Sequence, residues 1–280
     1  MPRPSVLRGA FSGSFRHGRL WLVQIVANPL LAVLFAVWLL IPVANTWNVI
    51  ENTLVALVIA VAIVVLHAGT LNYFYEAGQN LNVSALAKPA FLRALRHVLA
   101  VAVCIAVFYL FWRVLDRVDA YSNSLPAYLR STMPASLRRY VTLNFLESAY
   151  AWKVFILRWL VFPGLILPFV LATARLGFQG LWRAGFAVWR RAVSCFSYWL
   201  VLAMAVGTGV LAAPAIVAWT PNFTATSSAL RFESASLVLR VIIACALGLW
   251  AWLLACCAVV LASLRSADQH KHSVTADAQP

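Results

Sequence analysis

Six long apolar runs, each of about 20 residues, alternate with shorter polar stretches along the chain. They fall at about 21–43, 53–71, 97–115, 154–174, 197–219 and 237–263. A helix rises 1.5 Å per residue, so each run matches a hydrocarbon core of ~30 Å. The pattern predicts an all-α fold: a polytopic membrane helical bundle of about six transmembrane helices within residues 1–265.

A second pattern lies between the runs. Gly180–Phe196 reads GLWRAGFAVWRRAVSCF. Wound as one helix, it lines up Trp182, Phe186, Trp189, Val193 and Phe196 on one stripe. Arg183, Arg190 and Arg191 fall on or near the other side. Arg8-Gly-Ala-Phe11 and Lys88-Pro-Ala-Phe91 repeat the phrase, with Arg16 and Arg96 five residues after the Phe, where the third copy has Arg191. Each copy leads into an apolar run. The expected unit is therefore an amphipathic interfacial helix followed by a hairpin of two spans, repeated three times from near residues 5, 85 and 180.

Between the second run and the second short helix, residues 72–95 begin with a polar-aromatic segment, Asn72, Tyr73, Phe74, Tyr75 and Glu76. Residues 117–150 form the largest piece outside the runs. Ser124-Leu-Pro126 and Thr132-Met-Pro134 read as helix starts, and residues 135–150 as a rough amphipathic helix. The whole piece is expected to be an extracytoplasmic amphipathic segment, resting on the bilayer or touching a partner. Pro29 predicts a kink in the first span, Pro163 and Pro168 a bend in the fourth. The run at 21–43 is too long for a secretory leader, so an uncleaved first span is expected. Residues 266–280 are polar without period and read as a disordered cytoplasmic tail.

Composition sharpens this. The chain has 280 residues, 63% hydrophobic and 11% charged, against roughly 25% charged in a soluble domain. Mean hydropathy is +0.85, too high to clothe a globule in water. Net charge is +14. Nucleic acid is rejected as its cause, because the bases sit at the ends of apolar runs, where they meet lipid phosphates. With the N-terminus inside, thirteen Lys and Arg fall inside, eight outside, and Arg158 within a span. Bases concentrate on the cytoplasmic side of membrane proteins. That places both termini in the cytoplasm of a bacterial-type inner membrane, with the bases of 117–150 opposing the rule.

Lipid-phosphate binding is expected of Arg8, Arg16, Arg19, Arg93, Arg96, Arg183, Arg190 and Arg191. The intramembrane polar residues are Gln24, Asn28 and Arg158. An ionisable group in hydrocarbon is costly and raises the question of function. Arg158 lies near an interface, however, and the favoured reading is that it snorkels to the outer headgroups or pairs with Asp116, Asp119 or Glu147. For Gln24 and Asn28 the favoured reading is a hydrogen bond between helices. His17, His67 and His97 read as interfacial structural residues, and His270 with His272 as a weak metal pattern. The five cysteines carry no Cys-x-x-Cys pair and read as small hydrophobes. Asn222-Phe-Thr224 is a bare glycosylation pattern. Ala205, Gly209 and Ala213 in span five, and Ala244, Gly248, Ala251 and Ala255 in span six, predict a tight hairpin or a contact with a second copy.

No metal, cofactor or catalytic set emerges, and the eight acids avoid the midplane. The leading expectation is a non-catalytic multi-span protein, acting as scaffold, accessory subunit or organiser of anionic lipid. The alternative is a transporter or permease subunit with a polar path near Asn28 and Arg158. It requires Gln24, Asn28 and Arg158 to converge on one cavity.

Overall fold

The computed structural model describes residues 6–42, 44–78, 87–122, 124–220 and 229–276. Helices account for nearly all of them, and no strand occurs among the described residues. Helix α1 (Val6–Arg16) leads into α2 (Gly18–Leu40), and α3 (Thr46–Gly78) returns. Helix α4 (Ala87–Arg96) leads into α5 (Val98–Asp119). Next come α6 (Ser124–Thr132), α7 (Ala135–Arg138) and α8 (Leu143–Ile156), which passes through a π-helical turn at Leu157–Val161 into α9 (Phe162–Leu176). A 3-10 turn at Gly177–Leu181 connects to α10 (Arg183–Val193) and α11 (Phe196–Val206). A second π turn, Gly207–Ala212, precedes α12 (Ala213–Ala218), and α13 (Ala229–Ala276) follows.

Six segments among the described residues are long and apolar enough to cross a membrane: Gly18–Leu40, Thr46–Gly78, Val98–Asp119, Leu143–Leu181, Phe196–Ala218 and Phe232–Leu264. Protein buries little of them. Leu40 is 80% exposed and Leu99 71%, and only hydrocarbon removes such side chains from water. The chain is an all-α polytopic membrane bundle.

Helices α3, α9 and α13 pack on one another at the centre, with α2, α5 and α11 set against them in turn. Each short helix docks on the outgoing span of the unit before it: α4 on α3, α10 on α9, and α1 on α13. These head-to-tail contacts close into a ring, because the first short helix meets the last span. Ala10, Ala90 and Gly185 hold the same place in the three repeats and are all buried. Small residues there let the backbones approach. The Phe that follows each one touches the neighbouring span. The Phe11 ring centroid lies 5.7 Å from Trp250, and Phe186 meets Phe169 edge-on at 5.2 Å. Phe91 lies directly over Gly69, where a Cβ would overlap its ring.

Several boundaries differ from the periodicity. Helix α3 runs on to Gly78, so the polar-aromatic segment after residue 71 is a buried helical end. Residues 180–196 are not one helix. Gly177 reverses the chain at φ +61°, a conformation open to glycine. Gly180 then lies against the Ala172–Thr173 backbone, where a Cβ has no room. Only Phe186, Trp189 and Val193 of the expected stripe belong to α10. Leu143–Tyr150 is part of the fourth span rather than of a separate surface helix, because the Thr142 side chain accepts from Phe145 N and starts α8 there. The sequence from Ala251 to Ala276 holds neither Gly nor Pro, and the expected loose tail continues α13 as far as Ala276. The prolines act locally. Each π turn comes just before one, Pro163 or Pro214, where the missing N–H already breaks the regular ladder. Pro29 lies inside α2, which continues unbroken.

In the third unit Ala205 and Ala213 are buried, and Gly209 packs against Ala251 Cβ. Span five therefore meets span six at Ala251 within one chain, as a tight hairpin, while Gly248 faces open space. Asn222-Phe-Thr224 lies outside the described residues.

The ring makes a specific demand at Gly69. Gly69→Ala is expected to lower stability by about 1–3 kcal/mol through overpacking on Phe91. Thermal unfolding in mild detergent checks it: Phe91→Ala should relieve much of the cost in the double variant, and full additivity would contradict this docking.

Candidate functional site

The polar side chains gather at the two ends of the bundle. At the end that bears α1, α4 and α10, Gln24 Nε2 donates to Thr70 Oγ1 at 2.7 Å, and Asn28 Nδ2 donates to Gln24 Oε1 at 2.7 Å. Thr70 in turn donates to Leu66 O. The chain of amides ties α2 to α3, and each group in it has a partner. One half-turn deeper into that end, Asn72 is fully buried and bridges three helices. Its Nδ2 lies 3.3 Å from Ala90 O on α4 and 3.1 Å from Ala174 O on α9. Glu76, buried one turn further, pairs with Arg93 at 2.7 Å. Arg175, in the last turn of α9, holds its guanidinium 3.3 Å over the Tyr75 ring.

The expected phosphate-binding bases divide by environment. Arg8, Arg16, Arg19, Arg96, Arg183 and Arg190 are exposed, whereas Arg93 and Arg191 are half-buried. Beside them Phe15, Leu92, Leu95, Trp182 and Phe186 are also exposed. Gln179, Trp182, Arg183, Ala184 and Phe186 line a shallow cleft of about 630 Å³. The short helices thus turn small residues toward the protein and bases with large apolar groups away from it.

Arg158 belongs to the opposite end. The π turn carries it toward the last turns of α5, where it pairs with Asp116 at 2.7 Å and Asp119 at 3.3 Å. Its guanidinium stands 5.4 Å from the Trp112 ring centroid. Asp116 also lies 3.8 Å from Arg113, and Tyr150 donates to Val118 O at 2.6 Å. Together these contacts fasten α8 and α9 to α5. Gln24 lies 6 residues into α2 and Asp116 18 into α5, both counted from the same end. That separates the two groups along the bundle by roughly 18 Å. Gln24, Asn28 and Arg158 therefore do not converge, and the polar path that the transporter reading requires is not formed by them.

The three histidines of the spans occupy separate places. His17 meets Tyr73 OH at 3.3 Å, His67 lies edge-on to Trp252, and the His97 ring abuts Gly177. His17 and His97 stand at equivalent joints between short helix and span. Burial first, then neighbouring arginines, hold both below the ordinary His value. Sequence reasoning passed over Asn72, Glu76 and Arg175. Asn72 and Glu76 are one helical turn apart, a signal lost by ending the second span at about residue 71.

Two outcomes follow. Arg158 is 20% exposed and its acids about 40%, so removing it should cost less than the 3–5 kcal/mol of a deeply buried pair, about 1–3 kcal/mol. A double-mutant cycle of Arg158→Ala with Asp116→Asn should show coupling of about 1 kcal/mol or more; additive losses would mean the pair contributes nothing. For the histidines, the unfolded chain takes up protons near pH 6.5 while the folded chain resists them. Their contribution to stability is complete above that pH and is lost as pH falls below it. The unfolding temperature should drop between about pH 7 and pH 5, with a shallower drop in His17→Gln.

No family model, curated protein or solved structure matches this chain.

Proposed function

We propose that the chain is a non-catalytic scaffold or accessory protein of a bacterial-type inner membrane, with both termini cytoplasmic, that gathers anionic lipid at the inner leaflet through its ring of short basic helices. The observation that carries the reading is the placement of α1, α4 and α10. All three lie at one end of the bundle, and Arg8, Arg16, Arg96, Arg183 and Arg190 are exposed there beside large apolar side chains. Such a surface suits the boundary between headgroups and acyl chains. Each base near an anionic leaflet contributes about 1 kcal/mol, so a ring of them favours anionic over zwitterionic lipid. The excess of bases on this side supports the cytoplasmic placement. The exposed α10 surface also leaves room for a protein partner.

Hydrogen exchange in lipid nanodiscs tests the reading. Residues 183–193 should be better protected in phosphatidylglycerol than in phosphatidylcholine, and the triple change of Arg183, Arg190 and Arg191 to Glu should erase that difference. Protection indifferent to lipid charge in the unaltered protein would sink the proposal. Docking of α10 on α9 sets a baseline in both lipids, so the difference between them is the informative quantity.

A further inference from the structure

The junction of α3, α4 and α9 holds two guanidiniums and one carboxylate. Glu76 is 6% exposed and is engaged by Arg93 at 2.7 Å. Arg175 lies within electrostatic reach of both, but its close contact is the face of Tyr75 at 3.3 Å. Among the described residues its Nε is buried with no hydrogen-bond partner. The junction therefore keeps one positive charge that no carboxylate balances, on a group largely withdrawn from water. Aromatic contact only partly replaces lost hydration for a guanidinium. Arg93 is 41% exposed, so the junction opens outward on that side.

The surroundings fix the geometry. Asn72, one turn before Glu76, links Ala90 O and Ala174 O, so the carriers of Arg93 and Arg175 are held against the same stretch of α3. Glu76 holds Arg93 through Nη1 alone, and Tyr75 supports the Arg175 plane. Two guanidiniums so placed suit a tetrahedral oxyanion, which accepts a fork on each of two edges. Arg175 lies in the last turn of α9 and Arg93, on α4, meets Glu76 near the end of α3, so both stand where candidate spans end, a place that suits bases facing headgroup phosphates.

We propose that Arg175 and Arg93, positioned by Tyr75 and Glu76, form a binding site for the phosphate oxyanion of an anionic membrane lipid. The site deepens the lipid reading above and rests on this end of the bundle lying at a leaflet surface. It differs from the exposed ring in being a single built site, with a stoichiometry of one lipid per chain. Inorganic phosphate shares the recognised chemistry but lacks the anchor that holds a lipid at this depth.

The test uses the full chain in mild nonionic detergent. Native mass spectrometry and thermal unfolding are followed during titration with phosphatidylglycerol, phosphatidylcholine or inorganic phosphate. The unaltered protein should retain one phosphatidylglycerol in preference to phosphatidylcholine, with a rise in unfolding temperature. Arg175→Gln should weaken that binding about tenfold or more, since it removes a charge-assisted fork. Arg175→Lys keeps the charge, loses the fork and should fall between. Arg139→Gln, an exposed base just after α7 and outside both proposed lipid surfaces, should leave the single-lipid affinity within about twofold. Competition by millimolar inorganic phosphate in the unaltered protein would support the site without any variant, which covers a failure of Arg175→Gln to fold. Equal retention of the two lipids by the unaltered protein, or unchanged binding by folded Arg175→Gln, would overturn the proposal. So would saturation by inorganic phosphate with no further effect of the lipid. Loss of charge-selective protection at 183–193 with this binding intact would remove the ring reading and leave the site standing.

Discussion

Close approach of each short helix to a neighbouring span is the constraint on which the rest depends. In hydrocarbon, apolar surface gives helices little reason to associate, so fit and buried polar contacts must do it. Ala10, Ala90 and Gly185 remove the side chains that would hold the backbones apart, and Phe11 and Phe91 fill the space beside them, while the exposed Phe186 touches Phe169 edge-on. Because α4 rests on α3, α10 on α9 and α1 on α13, no unit buries its short helix alone. The three central spans are thereby held at the end where the short helices lie. Toward the other end the spans expose their apolar side chains to lipid, as Leu40 and Trp47 do.

The polar groups follow from this arrangement. Gln24, Thr70 and Asn72 are fully buried at the docked end; Gln24 donates to Thr70 and Asn72 Nδ2 to two carbonyls, while Asn72 Oδ1 has no partner among the described residues. A buried amide without such partners would be costly in a membrane. Arg158 is treated differently. It lies near the opposite interface, and the π turn before Pro163 brings it beside the two acids of α5. Neither group places a nucleophile beside a base, and each fastens one helix to another. The Arg93–Glu76–Arg175 junction stands apart, because its charges do not cancel.

How much of this was legible varied with the kind of information required. Span positions were readable because about 20 consecutive apolar residues leave few alternatives. The three-part repeat was readable from a base, a Phe and an Arg at fixed offsets. The favoured reading of Gln24 named the type of interaction, and that of Arg158 left headgroup contact and pairing open, with Asp116 and Asp119 among the candidate acids. The end of α3 was misread. Asn72, Tyr75 and Glu76 look too polar to continue an apolar span until α4 and α9 are seen to cover them. The single long helix expected at 180–196 failed for a local reason, the backbone reversal at Gly177.

The sequence by itself determined the membrane, the number of spans, the joints between short helices and spans, and the side on which bases accumulate. Each of these depends on hydrophobic length, periodicity or charge, which are properties of neighbours along the chain. Only the tertiary structure decided that the short helices close a ring across repeats. It also decided that Gln24 and Arg158 serve opposite ends, and that Arg175 stacks on Tyr75 while Arg93 pairs with Glu76 one residue on. Those outcomes depend on which side chains meet from distant segments, Glu76 with Arg93 and Asn72 with Ala174 among them. That in turn rests on close packing between helices, which no periodicity encodes.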